Sequence, residues 1–147
     1  MKKLIRFIGM ILVCSLLLAV PAHAASAAEP RASAFFSSHG TDLYITSSTS
    51  FQIWFDVVAN AGPNMQELGV SEIALYESAD QQSWTRVATY TMDAYPHMVA
   101  QNTSSHEGYV PYDTAITGYY YTARITFYAK NSRGIGELDV YTEIIRM

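Results

Sequence analysis

Residues 118–140 read "GYYYTARITFYAKNSRGIGELDV", and their alternation restricts the fold more than any other feature of the chain. Tyr119, Tyr121, Ala123, Ile125, Phe127 and Ala129 share one side; Tyr120, Thr122, Arg124, Thr126 and Tyr128 share the other. Successive side chains of a β-strand point to opposite faces, so this row predicts a strand with one buried face. "NSRG" turns the chain, and Leu138, Val140, Thr142 and Ile144 resume an inward row. A hairpin of two long strands is expected.

The same period recurs upstream. In "FQIWFDVVA", Phe51, Ile53, Phe55, Val57 and Ala59 face one way and Gln52, Trp54, Asp56 and Val58 the other. In "EIALYES", Ile73 and Leu75 oppose Glu72, Ala74 and Tyr76. "WTRVATYTM" reads as a further strand, and "GYVPY" as an edge strand because Pro111 removes a ladder donor. "SAFFSS" and "DLYIT" read as two short strands separated by a turn at "SHGT", and "QELGVS" as one helical turn. The irregular "DAYPHMVAQNTSSHEG" holds at most a short edge piece. About seven strands with frequent turn signals and no amphipathic helix predict an all-β fold, a small antiparallel two-sheet sandwich. A closed small barrel is the alternative.

Lys2, Lys3 and Arg6 precede the apolar run "FIGMILVCSLLLAV", and Ala22 and Ala24 follow with the spacing of a signal-peptidase site. The expected organisation is a signal peptide at 1–24, a small-residue leader at 25–32 and a β-sandwich domain at 33–147. Cys14, the sole cysteine, lies in the apolar run after Val13, a poor residue for lipidation there. The secreted chain is then disulfide-free and has no cysteine nucleophile or cysteine-held metal. Small secreted animal domains usually carry disulfides, so a bacterial origin is expected. Cleavage removes three of nine Lys and Arg and none of 13 Asp and Glu, moving the net charge from −4 to −7. That balance speaks against nucleic acid and against an anionic lipid surface, and no membrane span is expected after cleavage.

At "GYYYTARITFYAKNSRG" the chain resembles the second-to-last strand of a fibronectin type III domain. Gly118, Tyr121, the apolar Ala123, Ile125 and Phe127, and the turn residues Asn131 and Gly134 carry the resemblance. It implies a sandwich with Tyr121 as a core tyrosine at the strand entrance. The chain departs from that family at Phe55, where an inward Trp is common, and at Ala115 or Ile116, where a Leu is expected. The segments "IALYES", "SSHEGYV" and "YYTARITFYAKNS" also resemble short, uncharacterised secreted proteins of Firmicutes, a likeness that implies a source and no activity.

Candidate chemistry is sparse. His39, His97 and His106 lack metal-ligand spacing. Ser104, Ser105, His106 and Glu107 are adjacent, but neighbours on a strand point to opposite faces and do not assemble a triad. No nucleophile elbow or phosphate loop is present. Asp80 reads as an ordinary turn residue, and the acidic residues scatter over turns and outward positions. No enzyme, cofactor or metal is expected, with a hydrolase the distant alternative. The aromatic content stands out, with 11 Tyr and 2 Trp. If the strand at 120–128 lies between "EIALYE" and the last strand, its outward residues meet those of its neighbours. Tyr76, Tyr120, Arg124, Tyr128 and Tyr141 then form the candidate binding face for a protein or glycan, with Glu72, Glu137 and Asp139 beside them. The competing expectation is a structural or self-associating domain at the cell envelope.

Overall fold

The computed structural model describes residues 34–60, 62 and 64–147; the expected signal peptide and almost all of the leader lie outside them. Nine strands follow in order: β1 (Phe36–Ile45), β2 (Phe51–Ala59), β3 (Met65–Ser78), β4 (Thr85–Thr91), β5 (Val99–Thr103), β6 (Ser105–Tyr112), β7 (Tyr120–Asn131), β8 (Gly134–Tyr141) and β9 (Ile145–Arg146). One 3-10 turn, Pro96–Met98, precedes β5. The first sheet is ordered β1-β2-β6 and the second β4-β3-β7-β8, all pairs antiparallel. Seven strands therefore build a two-sheet sandwich. The short β5 pairs with the first half of β3, and β9 with the start of β7.

The inward rows are those the alternation predicts. Phe51, Ile53, Phe55 and Val57 of β2 face Ile73 and Leu75 of β3 and Tyr121, Ile125 and Phe127 of β7 in one fully buried core. Each such side chain contributes about 1.5–3 kcal/mol. Leu138 and Val140 join the core only in part, since β8 is an edge strand. Trp54 points outward, as the register of β2 requires. Phe51, Tyr112 and Tyr121 form a ring cluster with centroids 5.2–6.0 Å apart.

Four local expectations fail, each for a physical reason. "SHGT" is no turn: Gly40 lies within continuous β1, opposite Asp56. A Cβ at Gly40 would sit 2.1 Å from Asp56 Oδ1, so glycine there makes room for a cross-strand carboxylate. "QELGVS" is no helical turn but the first half of β3, whose Leu68 and Val70 are buried. A register shift between Val70 and Glu72 moves the inward parity from Leu68 and Val70 to Ile73 and Leu75. The irregular segment starts its strands early: β5 covers Val99–Thr103, and β6 begins at Ser105. Ile144 is 49% exposed rather than inward. The ladder breaks before it, where the Thr142 hydroxyl accepts the Ala123 N–H at 3.0 Å, and pairing resumes only at Ile145.

The β3–β4 turn is organised by Asp80. Its Oδ1 accepts the N–H groups of Gln82 (2.8 Å) and Ser83 (2.9 Å) and the Ser78 hydroxyl (3.0 Å). These bonds, Ser83 first, hold the carboxyl below its ordinary pKa. A depressed folded value means stability that is complete above the unfolded pKa and lost as pH falls through the folded one. Asp80→Ala should therefore lower the melting temperature at neutral pH, and the gap from wild type should narrow as pH falls below the ordinary carboxylate range. Thermal melts across that range check it; a gap independent of pH would show that the bonds to ionised Asp80 are not responsible.

Candidate functional site

β7 does lie between β3 and β8, so the outward residues of three strands meet on the second sheet. Arg124 pairs across to Ala74 on one side and Tyr141 on the other, and Thr122 pairs to Tyr76. Arg124 Nη2 donates to Glu72 Oε1 at 2.5 Å, and Nη1 lies 3.9 Å from Asp139 Oδ2. The Glu72 bond, with Asp139 behind it, pushes the guanidinium pKa up. Both ion pairs are solvent-exposed to about a third or more and stabilise by at most about 1 kcal/mol. The Arg124 Nε is buried with no hydrogen-bond partner among the described residues.

The five candidate residues do not form one patch. Tyr141 is 62% exposed and Tyr76 half-buried, and together they wall an open groove of about 480 Å³. Trp84, Thr122, Thr142 and Ile144 complete it. Thr122 Oγ1 donates to the Thr142 carbonyl at 3.1 Å, and Thr142 Oγ1 accepts the Ala123 N–H, so these two side chains have their hydrogen bonds made. Tyr120 lies beyond Thr122 on the same face, and the Arg146 guanidinium sits 5.4 Å from its ring centroid.

Tyr128 stands apart. It points outward by parity yet is 5% exposed. Its cross-strand partner is Gly69, which has no side chain to compete for the space. Its hydroxyl donates to Glu67 Oε2 at 2.9 Å, and Lys130 Nζ lies 3.4 Å from the other Glu67 oxygen. Burial, then the Glu67 bond, pushes the Tyr128 phenol up to about 12, while the same bond leads the causes that lower Glu67. Tyr128 is a packing residue and not part of an exposed face.

The sequence reading puts Trp84 first in the strand "WTRVATYTM" and gives it no face; the structure starts β4 one residue later, at Thr85. Alternation alone does not place it: Tyr90 and Ala88 pair with inward Ile73 and Leu75, but an irregularity between Leu75 and Tyr76 then pairs Arg86 with outward Tyr76, which carries Trp84 to the groove side. The histidines act as braces. His106 Nε2 donates to the His97 carbonyl at 2.9 Å, and His97 Nε2 to the Tyr109 carbonyl at 3.2 Å. Among the described residues, no three His, Cys, Asp or Glu are placed to hold a metal. The groove lining contains no carboxylate, imidazole or amine. What it offers a ligand is ring stacking and desolvation. No protein-family model matches the chain, and no curated protein matches it in sequence.

Proposed function

We propose that this protein is a secreted, non-catalytic bacterial binding module, similar to secreted proteins of Firmicutes and built as a fibronectin type III-like sandwich, and that the Tyr76–Trp84–Tyr141 groove receives its ligand, a protein or a glycan. The observation that carries the reading is the groove itself: three aromatic side chains around an open concave space, with Tyr141 left 62% exposed on a sheet face. Exposed aromatics in a concave site are a common anchor for partners. Two features support the family likeness. The strand order β1-β2-β6 and β4-β3-β7-β8 places three strands on one sheet and four on the other. Tyr121, at the entrance to β7, accepts the backbone N–H of Ile116, five residues upstream, at 2.7 Å. Export rests on the basic residues, apolar run and Ala22/Ala24 spacing of residues 1–24.

The test is the double variant Tyr76→Ala/Tyr141→Ala. Protein purified from culture medium should begin at Ala25. Wild type should retain a component of the native secreted fraction, or a glycan on an array, and the variant should lose at least about tenfold in affinity, the scale of one hot-spot residue. Its melting temperature should stay close to wild type, since both side chains lie outside the core. Undiminished retention would reduce these rings to cross-strand packing. Self-association is the second reading, favoured by the exposed Ile135 and Tyr141 along β8, the edge strand of the second sheet among the described residues. Mass that rises with concentration in light scattering, and falls in the same variant, would select it.

A further inference from the structure

The first sheet carries an outward face that the proposed groove does not use. Its middle row is Asp42 of β1, Trp54 of β2 and Tyr109 of β6, which pair directly across the strands. Tyr44 flanks the row, its ring edge-on to Trp54 with centroids 6.3 Å apart. Tyr44 and Tyr109 are each 49% exposed. The next row is Gly40, Asp56 and Glu107. Asp56 and Glu107 are direct cross-strand partners of like charge, an arrangement that destabilises a sheet. Neither carboxylate has an ion pair among the described residues.

The charge distribution makes that row unusual. β1, β2 and β6 contain three carboxylates and no Lys or Arg. All five Lys and Arg of the described residues lie on the second sheet or its β7–β8 turn: Arg86, Arg124, Lys130, Arg133 and Arg146. Gly40 sharpens the effect. A Cβ there would meet Asp56 Oδ1 at 2.1 Å and the Trp54 ring at 3.5 Å, so the missing side chain lets carboxylate and indole edge approach one point. Where a chain keeps a like-charge pair beside exposed rings, the compensating charge is expected to come from outside.

We propose that the outward face of β1-β2-β6 is a docking surface for an arginine- or lysine-rich segment of a partner protein, with Asp56 and Glu107 neutralising its cations and Trp54, Tyr44 and Tyr109 packing on their alkyl and guanidinium planes. The occupant follows from charge complementarity: a cation relieves the Asp56–Glu107 repulsion and is attracted to the ring faces. A neutral glycan would leave that repulsion in place, and an anionic polymer would add to it. This surface is independent of the groove on the other sheet.

The two tryptophans report the two faces separately, Trp54 on the first sheet and Trp84 at the groove. An octa-arginine peptide titrated into the isotopically labelled protein should shift the Trp54 indole N–H signal saturably and leave that of Trp84 in place. Asp56→Asn/Glu107→Gln should weaken the binding by about tenfold or more, with a melting temperature equal to or above wild type because the repelling pair is gone. Glu137→Gln/Glu143→Gln removes the same net charge from β8 and the β8–β9 link and should change affinity by less than about twofold. Equal weakening by both pairs would mean attraction to overall net charge and would overturn the proposal. So would an unmoved Trp54 signal, or a neutral oligosaccharide that shifts Trp54 equally well in Asp56→Asn/Glu107→Gln.

Discussion

Tyr121→Phe is expected to destabilise the domain by about 1–3 kcal/mol while leaving its fold intact. The ring is fully buried and would remain so, packed at a tilt with centroids 5.2 Å from Phe51 and 6.0 Å from Tyr112. Only the oxygen is lost, and it does two things. It accepts the Ile116 N–H at 2.7 Å, fastening the crossover that enters β7, and it donates to Glu77 Oε2 at 3.1 Å on the neighbouring β3. Removing it leaves a backbone donor and a carboxylate oxygen unmatched, which costs more than the net worth of the bonds. Equilibrium denaturation should show the loss, with a melting temperature lower by about 4 °C per kcal/mol. A change too small to measure would mean that water replaces the hydroxyl at both partners.

The same site adds a pH signature. Burial pushes the Tyr121 phenol up to about 12, as it does at Tyr90 and Tyr128. The folded state holds these protons more tightly than the unfolded chain. Their contribution is therefore complete below the ordinary phenol pKa near 10 and is lost as pH rises through the folded value. Wild type should lose stability steeply above about pH 10, and Tyr121→Phe less steeply.

Gly69→Ala is expected to cost roughly 2–4 kcal/mol, a large effect for one methyl group. An added Cβ would lie 2.1 Å from the Met98 carbonyl oxygen and 2.8 Å from Val99 Cα. Both are backbone atoms of the segment that pairs with β3, so no side-chain rotation relieves the clash. The 3-10 turn and β5 must move outward. That withdraws the fully buried Met98 and breaks the pairing of Gly69 with Val99. Gly136→Ala is the control: the atoms nearest its Cβ would all belong to the Phe35 side chain, whose ring can turn, and it should cost less. Hydrogen exchange should show the loss of protection concentrated in β5 and the facing half of β3. Near-wild-type stability of Gly69→Ala would mean that the turn does not pack against β3 as described.

The strands with unbroken alternation were legible. β2 and β7 each hold one register from end to end, so period two alone identified which side faces the core, down to Phe55 in and Trp54 out. The placement of β7 between β3 and β8 was expected from the sandwich type and not from the alternation. β3 was legible only in its second half. Its register shift reverses inward parity, and a rule of two read across such a shift finds no strand at "QELGVS". The candidate face shows the same limit. Parity placed Tyr128 outward, which is correct, but parity cannot say whether an outward ring is covered. Gly69 opposite it and Glu67 beside it decided that.

Residue order by itself determined the all-β class and the inward rows of β2 and β7, Tyr121 among them, because these depend on neighbours one or two positions apart along a strand. Contacts between residues far apart in sequence were left to the tertiary structure. Trp84 reaches Tyr76 and Tyr141 only when β4, β3, β7 and β8 lie side by side, and Asp56 meets Glu107 only when β6 crosses to the first sheet. Local periodicity carries no information on which strands become neighbours; that is settled by burying both inward faces in one core.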